Sequence, residues 1–458
     1  MRIAAGLVFV LLSTGAIAAG SRLATEDCNF GETYAFNRAE CEFTFTNAGD
    51  TPIHVSDFQP VRPGDSIEPS AAVIAPHAKA YLKAVVDTGN DIATSRHIFH
   101  FRSDESGHED RVVAARGFAL SVLDQGRPMI DLGVVELAKD LPSHKIELTS
   151  HDVADFRVTK IESAPPYLDV QFGADGQSVT LKMRANAPWG YQGDYIKLNT
   201  NSTLQKQVWI GVQSNIHGDV VPAANPFNMG LMRKGNRNEV LIRLTSKSGK
   251  NFAVGPIELE KLHGKTVIEP CQPVADGCRM IRLRISDEQP IGSVVGKLMV
   301  ELPGYSQRLL IAVNGLFLTK DTKIEKLDPA ELLRAQDQKK AQSSAAGAEI
   351  DISKALKGVV QSADDLPPAG SGPLVKWSVM NEAALYGYQI FRATDENGPF
   401  VLINRPAIPV KKHDNTGSTY QWRDDTAVSG KTYWYFIGLL YSDGHKQQLT
   451  GPQKVVAK

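Results

Sequence analysis

Three histidines are the first side chains whose type and spacing could hold a metal ion. His97 and His100 lie three residues apart, and His108 follows them. Phe99 and Phe101 alternate with polar neighbours, which predicts a strand. Residues three apart on a strand point to opposite faces, so the imidazoles of His97 and His100 cannot share one ion. We interpret them as surface histidines, and the sequence predicts no metal site.

A second chemistry would need paired carboxylates, and Asp424-Asp425 is such a pair in the sequence. Adjacent residues of a strand or turn diverge, whereas the carboxylates of a glycoside hydrolase converge across a cleft. We therefore interpret both as turn residues. The sequence has no nucleophile elbow, Walker loop or zinc-protease helix. A site assembled from scattered residues would leave no such motif, but the prediction is a protein that is not an enzyme and uses no cofactor.

The four cysteines predict disulfide bonds. Four cysteines allow three pairings, and only Cys28–Cys41 with Cys271–Cys278 keeps each bridge inside one short segment. We predict this pairing, and with it an oxidising compartment. A zinc site is the alternative, but no histidine lies at ligand spacing near either pair.

A basic run and a group of aromatic residues are the remaining candidates for binding. Residues 233–237, Arg-Lys-Gly-Asn-Arg, could contact an anion, but three charges in a neutral chain favour a solvated loop. Aromatic residues are concentrated in the last module, where half of each strand faces outwards. An exposed group of them could stack on sugar rings or anchor a protein partner. The candidate interaction surface comprises Tyr386, Tyr388, Trp422, Trp434, Tyr435 and Tyr441.

The composition limits the classes of partner. The 458 residues carry a formal net charge of -1, which gives no electrostatic reason to expect nucleic acid or an anionic membrane. Residues 1–19 combine Arg2, an apolar run from Ala4 to Leu12 and a small-residue site, which predicts a signal peptide. An uncleaved anchor is the alternative, but the run is too short to span a bilayer. We expect an exported protein, periplasmic or at the cell surface, with no transmembrane segment after the leader is removed.

The elements around these residues read as repeated β-hairpins. From Cys41 to Phe45 every second residue is apolar, residues 47–50 have turn chemistry, and Ile53 and Val55 resume the alternation. The layout recurs with Gly31, Gly133 and Gly230 at intervals of about 100 residues. Units of this size predict immunoglobulin-like β-sandwiches over 28–125, 128–221 and 222–319. Chance similarity among β sequences is the alternative.

A family resemblance supports the repeats. Phe43-x-Phe45-x-Asn47-x-Gly49-Asp50-x-Pro52-Ile53-x-Val55, Ile74-Ala75-Pro76 and the later element at residues 193–201 together resemble bacterial hydin-type (ASPM/SPD-2/hydin) domains, which are similar in fold to the major sperm protein. His77 stands where the family has glycine, and the frequent Cys-Gly-Cys element is missing. The resemblance implies a modular β-sandwich chain and no catalytic residues.

The rest of the chain predicts a linker and a fourth sandwich. Residues 320–372 suggest a helix starting at Asp328, a second from Ile352 to Val360, and a flexible end. Residues 373–458 resemble a fibronectin type III domain through Trp377, Gly387-Tyr388-x-Ile390 and Gly430-x-x-Tyr433-x-Tyr435-x-Ile437. The resemblance implies that Tyr433 is the corner tyrosine, whose hydroxyl bonds the backbone.

The predicted fold class is therefore all-β, with tandem immunoglobulin-like β-sandwiches and a short helical linker before the last one. The predicted function is a non-enzymatic scaffold or adhesion protein of the bacterial envelope, with other envelope proteins or a glycan as partner. One alternative is a carbohydrate-binding accessory protein that uses the aromatic residues of the last module. Another is a periplasmic assembly chaperone, although no recognisable basic residues are present to capture a subunit's C-terminus.

Overall fold

The computed structural model describes residues 21–137, 141, 143–320, 322, 368, 370–414 and 417–457. These residues form strands and loops, with no helix among them. They fold as tandem immunoglobulin-like β-sandwiches, which confirms the predicted fold class. The predicted leader and the helices expected from Asp328 and Ile352 lie outside the described residues.

The first unit consists of two sheets, ordered β1-β3-β7-β5 and β2-β9-β8-β4-β6. Phe43 and Phe45 on one sheet and Phe99 and Phe101 on the other are buried between them, as their alternation predicts. The unit starts earlier than residue 28, because β1 pairs antiparallel with β3. Its strands are β1 (Leu23–Glu26), β2 (Cys28–Tyr34), β3 (Arg38–Asn47), β4 (Ile53–Pro60), β5 (Ser66–Glu68), β6 (Ala72–Ile74), β7 (Lys79–Asp87), β8 (Ala93–Ser103) and β9 (Asp110–Leu120).

The turn after β3 is held by one buried amide side chain. The Asn47 side chain donates to the carbonyl oxygens of Thr51 and Ile74 at 2.8 and 3.0 Å. Its own oxygen accepts a hydrogen bond of 2.9 Å from the Gly49 N–H. Asn47 thus bonds three backbone groups around the turn, and the interpretation of this residue as a turn former is confirmed.

The second and third units share one sheet of eight strands, whose main path is β10-β16-β15-β24-β23-β20. Each unit adds a separate sheet, β11-β14-β13 in the second and β17-β19-β22-β21 in the third. The second unit contains β10 (Met129–Glu136), β11 (Ser143–Glu147), β12 (Val158–Ser163), β13 (Leu168–Phe172), β14 (Ser178–Met183), β15 (Trp189–Thr200) and β16 (Gln207–His217). The third contains β17 (Val220–Pro222), β18 (Phe227–Arg233), β19 (Asn238–Ser246), β20 (Ile257–Glu260), β21 (Gly264–Pro270), β22 (Cys278–Ile285), β23 (Gly292–Val300) and β24 (Leu309–Leu318).

The shared sheet is joined where β15 runs parallel to β24. Trp189 and Gly190 pair with Leu309 and Leu310. Gly190 has a φ of +92°, and a Cβ atom there would lie 1.9 Å from the carbonyl oxygen of Leu310. Only glycine allows this close approach of the two backbones.

The three units repeat the same kink, in β2, β10 and β18. Gly31, Gly133 and Gly230 have φ values of +69°, +62° and +70°. In each case the glycine N–H donates a hydrogen bond of 2.8 Å to the Asn or Asp side chain two residues before it. Each kink marks a register shift in a strand that pairs parallel with the last strand of its unit. The repeated spacing in the sequence therefore corresponds to a repeated structural element.

The fourth unit has the architecture expected of a fibronectin-like sandwich. One sheet pairs β25 with β29, and the other follows β27-β26-β30-β31, with β28 and β32 also paired to it. The Tyr433 hydroxyl accepts a 3.1 Å hydrogen bond from the Val428 N–H, which confirms its predicted corner role. The strands are β25 (Leu374–Val379), β26 (Leu385–Ala393), β27 (Val401–Leu402), β28 (Ile408–Pro409), β29 (Ser418–Arg423), β30 (Thr432–Tyr441), β31 (Lys446–Gln448) and β32 (Gln453–Val456).

Candidate functional site at the junction of the first, second and fourth units

Two of the six aromatic residues of the predicted interaction surface are buried. Tyr388 is 0% exposed and Tyr435 2% exposed. The Tyr388 hydroxyl donates to buried Glu382, and the Tyr435 hydroxyl donates to buried Asp424 at 2.8 Å. Both lie on the core face of their strands, so placing them on an outer surface was wrong. Asp424 also accepts a hydrogen bond of 3.0 Å from the Thr426 N–H, which agrees with its interpretation as a turn residue.

The other four aromatic residues are half-buried and do not form one platform. Tyr386 is covered by the first unit, because its ring stacks on Phe118 with centroids 3.8 Å apart. Tyr441 stacks on the neighbouring His445. Trp434 lies toward the opposite end of β30, and Trp422 lies in the other sheet on β29. Successive residues of a strand advance by about 3.3 Å, so these rings are too dispersed to stack on one sugar chain.

A buried ion pair joins the units instead. The Lys446 ammonium of the fourth unit pairs with Asp152 of the second, and their side chains are 6% and 0% exposed. Lys446 also donates to the Ser121 carbonyl oxygen at 2.8 Å. The Tyr34 hydroxyl of the first unit donates to Asp152 at 2.7 Å. Three units thus converge on one carboxylate, and removing any member would leave a buried polar group unpaired.

A second set of contacts lies beside this pair. Both carboxylate oxygens of Glu32 accept from the Ala407 N–H at 3.1 Å. Burial raises the pKa of Glu32, against the opposing effect of its hydrogen bonds from Ala407 and Tyr386. The Arg405 guanidinium donates to the Tyr34 hydroxyl at 2.8 Å and lies 5.1 Å from the centre of that ring. The first unit is therefore bound to the fourth by hydrogen bonds and by a cation–π contact.

His151 forms the aromatic part of the junction. Its ring packs edge-on against Phe391 and Phe436, with centroid distances of 5.8 and 5.5 Å. Its Nδ1 atom lies 2.8 Å from Asp124. The hydrogen bond to Asp124 raises the pKa of His151, although burial acts in the opposite direction. Burial would raise the pKa of Asp124, but its bonds and charge interaction with His151 outweigh that effect and lower it.

The junction leaves one open cleft of about 630 Å³. The first unit contributes Glu32, Tyr34 and Asn37, the second Leu204, and the fourth Arg405. The side chains can donate and accept hydrogen bonds, but no nucleophile is paired with a base among them. The cleft can therefore hold a polar group through hydrogen bonds from the first and fourth units.

His97 corrects the sequence interpretation, because it is fully buried. Its Nδ1 lies 2.8 Å from Asp65 and its Nε2 lies 3.0 Å from the Ser95 hydroxyl. This is the bonding order of a serine-hydrolase triad. Ser95 is itself 2% exposed, however, and its hydroxyl donates to Asp91 at 2.6 Å. A nucleophile that substrate cannot reach does no chemistry, so we interpret the group as a core hydrogen-bond network.

The sequence did contain the signal that would have placed His97. It has the same parity along β8 as Phe99 and Phe101, which face the core. His100 has the other parity and is exposed, so the conclusion that the two histidines cannot share an ion is confirmed. By contrast, no local pattern marks Asp152 and Lys446, which lie 294 residues apart in the chain.

The predicted disulfides Cys28–Cys41 and Cys271–Cys278 are both formed. Among the described residues no group of three or more His, Cys, Asp or Glu side chains could hold a metal ion. In the same part of the chain no helix is long and apolar enough to cross a membrane.

The basic run lies in the turn between β18 and β19. Arg233 donates to the Thr322 carbonyl oxygen at 2.8 Å. Arg237 pairs with Glu239 at 2.8 Å, and its hydrogen bond lowers the pKa of that carboxyl to about 2. Two of the three cations, Arg233 and Arg237, thus bond groups of this same chain, as expected for a solvated loop.

Comparison with known proteins adds no argument about fold or function. No protein-family model and no curated protein match the sequence. Similar solved structures include a protein of unknown function from Porphyromonas gingivalis W83, 12% identical with a TM-score of 0.20, which covers 43% of this chain and 100% of its own. PapD-like domain 7 of human CEP192 is 10% identical with a TM-score of 0.19 over 26% and 98%. The titin I67–I69 fragment is 9% identical with a TM-score of 0.17 over 66% and 99%. At these values the comparisons carry no argument about function.

Proposed function

We propose that the chain is an exported, non-enzymatic scaffold of the bacterial envelope that binds other envelope proteins through its β-sandwich surfaces. In this proposal the first three units are hydin-type domains and the fourth is a fibronectin type III domain. The observation that carries it is the way the units are fixed to one another. Two share a sheet, and the fourth is bound to the second by the buried Lys446–Asp152 pair and to the first by the bonds from Arg405 and Ala407.

Fixed units are what a scaffold needs. Consecutive domains usually move relative to one another unless their interface is large and well packed. Here buried apolar residues of the first and second units and of the fourth belong to one continuous cluster, which includes Leu120, Leu148 and Leu440. Partners that bind different units would therefore be held at constant separations, without any chemistry at the junction.

The proposed compartment draws support from the cysteines. Cys28–Cys41 and Cys271–Cys278 account for every cysteine of the chain. Structural disulfides persist in oxidising spaces and are rare where thiols are kept reduced.

The experiment is cell fractionation of an epitope-tagged full chain, followed by reciprocal isolation of native complexes. We expect the chain in the envelope or extracellular fraction, with both disulfides formed. A partner isolated with the tagged chain should in turn isolate the chain when that partner carries the tag. Recovery of reduced chain from the cytoplasm would overturn the proposed compartment. Recovery of the exported chain without any reciprocal partner would overturn the scaffold.

A further inference from the structure

The free edge of the third unit differs from those of its neighbours. In each unit one edge strand pairs with an inner strand of the sheet: β5 with β7 in the first, β13 with β14 in the second and β21 with β22 in the third. These strands have 3, 5 and 7 residues. Natural sheets keep exposed edges short because unpaired backbone groups attract other strands. β21 is the longest of the three, and its Thr-Val-Ile centre carries no charge between Lys265 and Glu269.

The hydrogen-bond register shows which backbone groups are free. Just beyond β21, the Ser286 N–H donates to the His263 carbonyl oxygen at 2.8 Å. Hydrogen-bonded pairs alternate in antiparallel ladders, so Lys265, Val267 and Glu269 also bond β22. The N–H and C=O groups of Thr266 and Ile268 then point away from β22, toward the open side.

The side chains along this edge leave apolar surface uncovered. Ile268 pairs with Ile281, which is fully buried, and so lies on the core face of the sheet. It is nevertheless 42% exposed, and Val267 on the outer face is 48% exposed. The hairpin that presents them is closed by the Cys271–Cys278 disulfide and by two hydrogen bonds of 2.7 and 2.8 Å from Arg282 to Glu269. The edge is thus held in a fixed shape with its core open to one side.

The charge of the surrounding face selects the kind of strand that fits. The outer face of β19, β22 and β21 carries four cations and two carboxylates, and Arg237 of the adjoining turn pairs with one of these carboxylates. Of the cations, Lys265 has no partner among the described residues and lies at the edge itself, next to Arg284. The set is Arg237, Arg243, Lys265, Arg282 and Arg284, with Glu239 and Glu269.

We propose that β21 is a strand-addition site for an extended segment of another polypeptide that alternates acidic and apolar side chains. This rests on the proposed scaffold function and names the chemistry of one partner. The incoming backbone bonds the free groups of Thr266 and Ile268. Its apolar side chains cover Ile268 on the core side, and its acidic side chains lie beside Lys265 on the outer face. Pairing with a second copy would instead bring two positively charged faces together, which opposes it.

The probe is an acetylated and amidated peptide, Thr-Val-Thr-Val-Glu-Val-Glu, added to the full chain. Amide exchange resolved by residue is the measurement. We expect bound peptide to slow exchange at Thr266 and Ile268 and to leave Lys265, Val267 and Glu269 unchanged, because these are already bonded to β22. A peptide methylated at alternate backbone nitrogens should not bind, and one with lysine in place of both glutamates should bind more weakly.

Two variants and one control locate the site. Thr266→Pro removes only an N–H that faces outwards, so the β21–β22 ladder remains intact while peptide binding is lost. Lys265→Glu should weaken binding of the acidic peptide by about fivefold, which is the upper range for a cross-strand charge pair. Lys250→Glu makes the same charge change at an exposed turn of the same unit and should leave binding unchanged.

The outcomes separate this proposal from the scaffold. Protection at any other strand, equal binding of the lysine peptide, or no binding to wild type refutes the edge site. Concentration-dependent dimers that Thr266→Pro abolishes would show that a second copy occupies the edge, which also refutes the proposed partner. If native envelope complexes persist unchanged in the Thr266→Pro chain, the scaffold stands and the edge proposal fails.

Discussion

Replacing Lys446 by methionine tests the junction most sharply. Methionine keeps the length and apolar body of the side chain but removes the ammonium that pairs with Asp152. The Asp152 carboxylate would remain buried with only the Tyr34 hydroxyl as partner. Its Oδ1 atom already has no hydrogen-bond partner among the described residues. Removing one member of a buried pair costs about 3–5 kcal/mol. That cost falls on the docking of the fourth unit, because the pair joins two units.

The assay follows the Ala407 amide, which is bonded across the junction to Glu32. If separation of the units controls its exchange, Lys446→Met should accelerate that exchange by roughly 150- to 5,000-fold. Adding Asp152→Asn removes the uncompensated charge and should restore more than half of the loss in free energy. Lys454→Met is the control, since that ammonium is exposed over the Trp434 ring. Exchange at Ala407 within a factor of about three of wild type in Lys446→Met would refute the reasoning.

Three further predictions concern the pH dependence, the repeats and the corner tyrosine. The raised pKa of His151 means that its stabilisation is fully present below its unfolded-state pKa and is lost as pH rises through the folded-state value. The free energy of unfolding should therefore fall as pH rises above about 6.5, the ordinary histidine value, and His151→Gln should flatten that fall; an unaltered slope would contradict it. Gly31→Ala, Gly133→Ala and Gly230→Ala should each cost their own unit about 1–2 kcal/mol from backbone conformation alone, because a Cβ atom would touch nothing within 4 Å. Amide exchange in the core of each unit measures this loss of stability, and Gly451→Ala is the unstrained control. Unequal losses among the three variants would contradict a kink that is common to the three units. Tyr433→Phe should cost about 1 kcal/mol through the lost bond to Val428, whereas Tyr441→Phe, at an exposed Gln447 contact, should be neutral in thermal unfolding.

The sequence was informative wherever structure depends on near neighbours. The alternation at Phe43 and Phe45 placed a strand because side chains of opposite parity face core and solvent. Gly31 and its two counterparts marked a repeat because a positive φ selects glycine locally. The fibronectin resemblance placed Tyr433, whose hydroxyl bonds a residue only five positions away.

Contacts distant in the chain left no such pattern. The pairing of Trp189 with Leu309 merges two units into one sheet, yet both residues read as ordinary strand residues. Asp152 and Lys446 look like exposed turn residues, and only the docking of the fourth unit buries them. The same docking covers Tyr386, one of the six residues of the predicted aromatic surface. The placement of a site between units depends on their relative arrangement, which local periodicity does not encode.

The scaffold claim is tested most directly by the native mass of the chain taken from the envelope fraction under non-denaturing conditions. Light scattering after size-exclusion chromatography measures that mass whatever the identity of the partner. The account predicts an assembly heavier than the 49.9 kDa chain, in which the partner recurs at fixed stoichiometry and the chain keeps both disulfides. A chain that elutes at its own mass under these conditions would contradict the central claim.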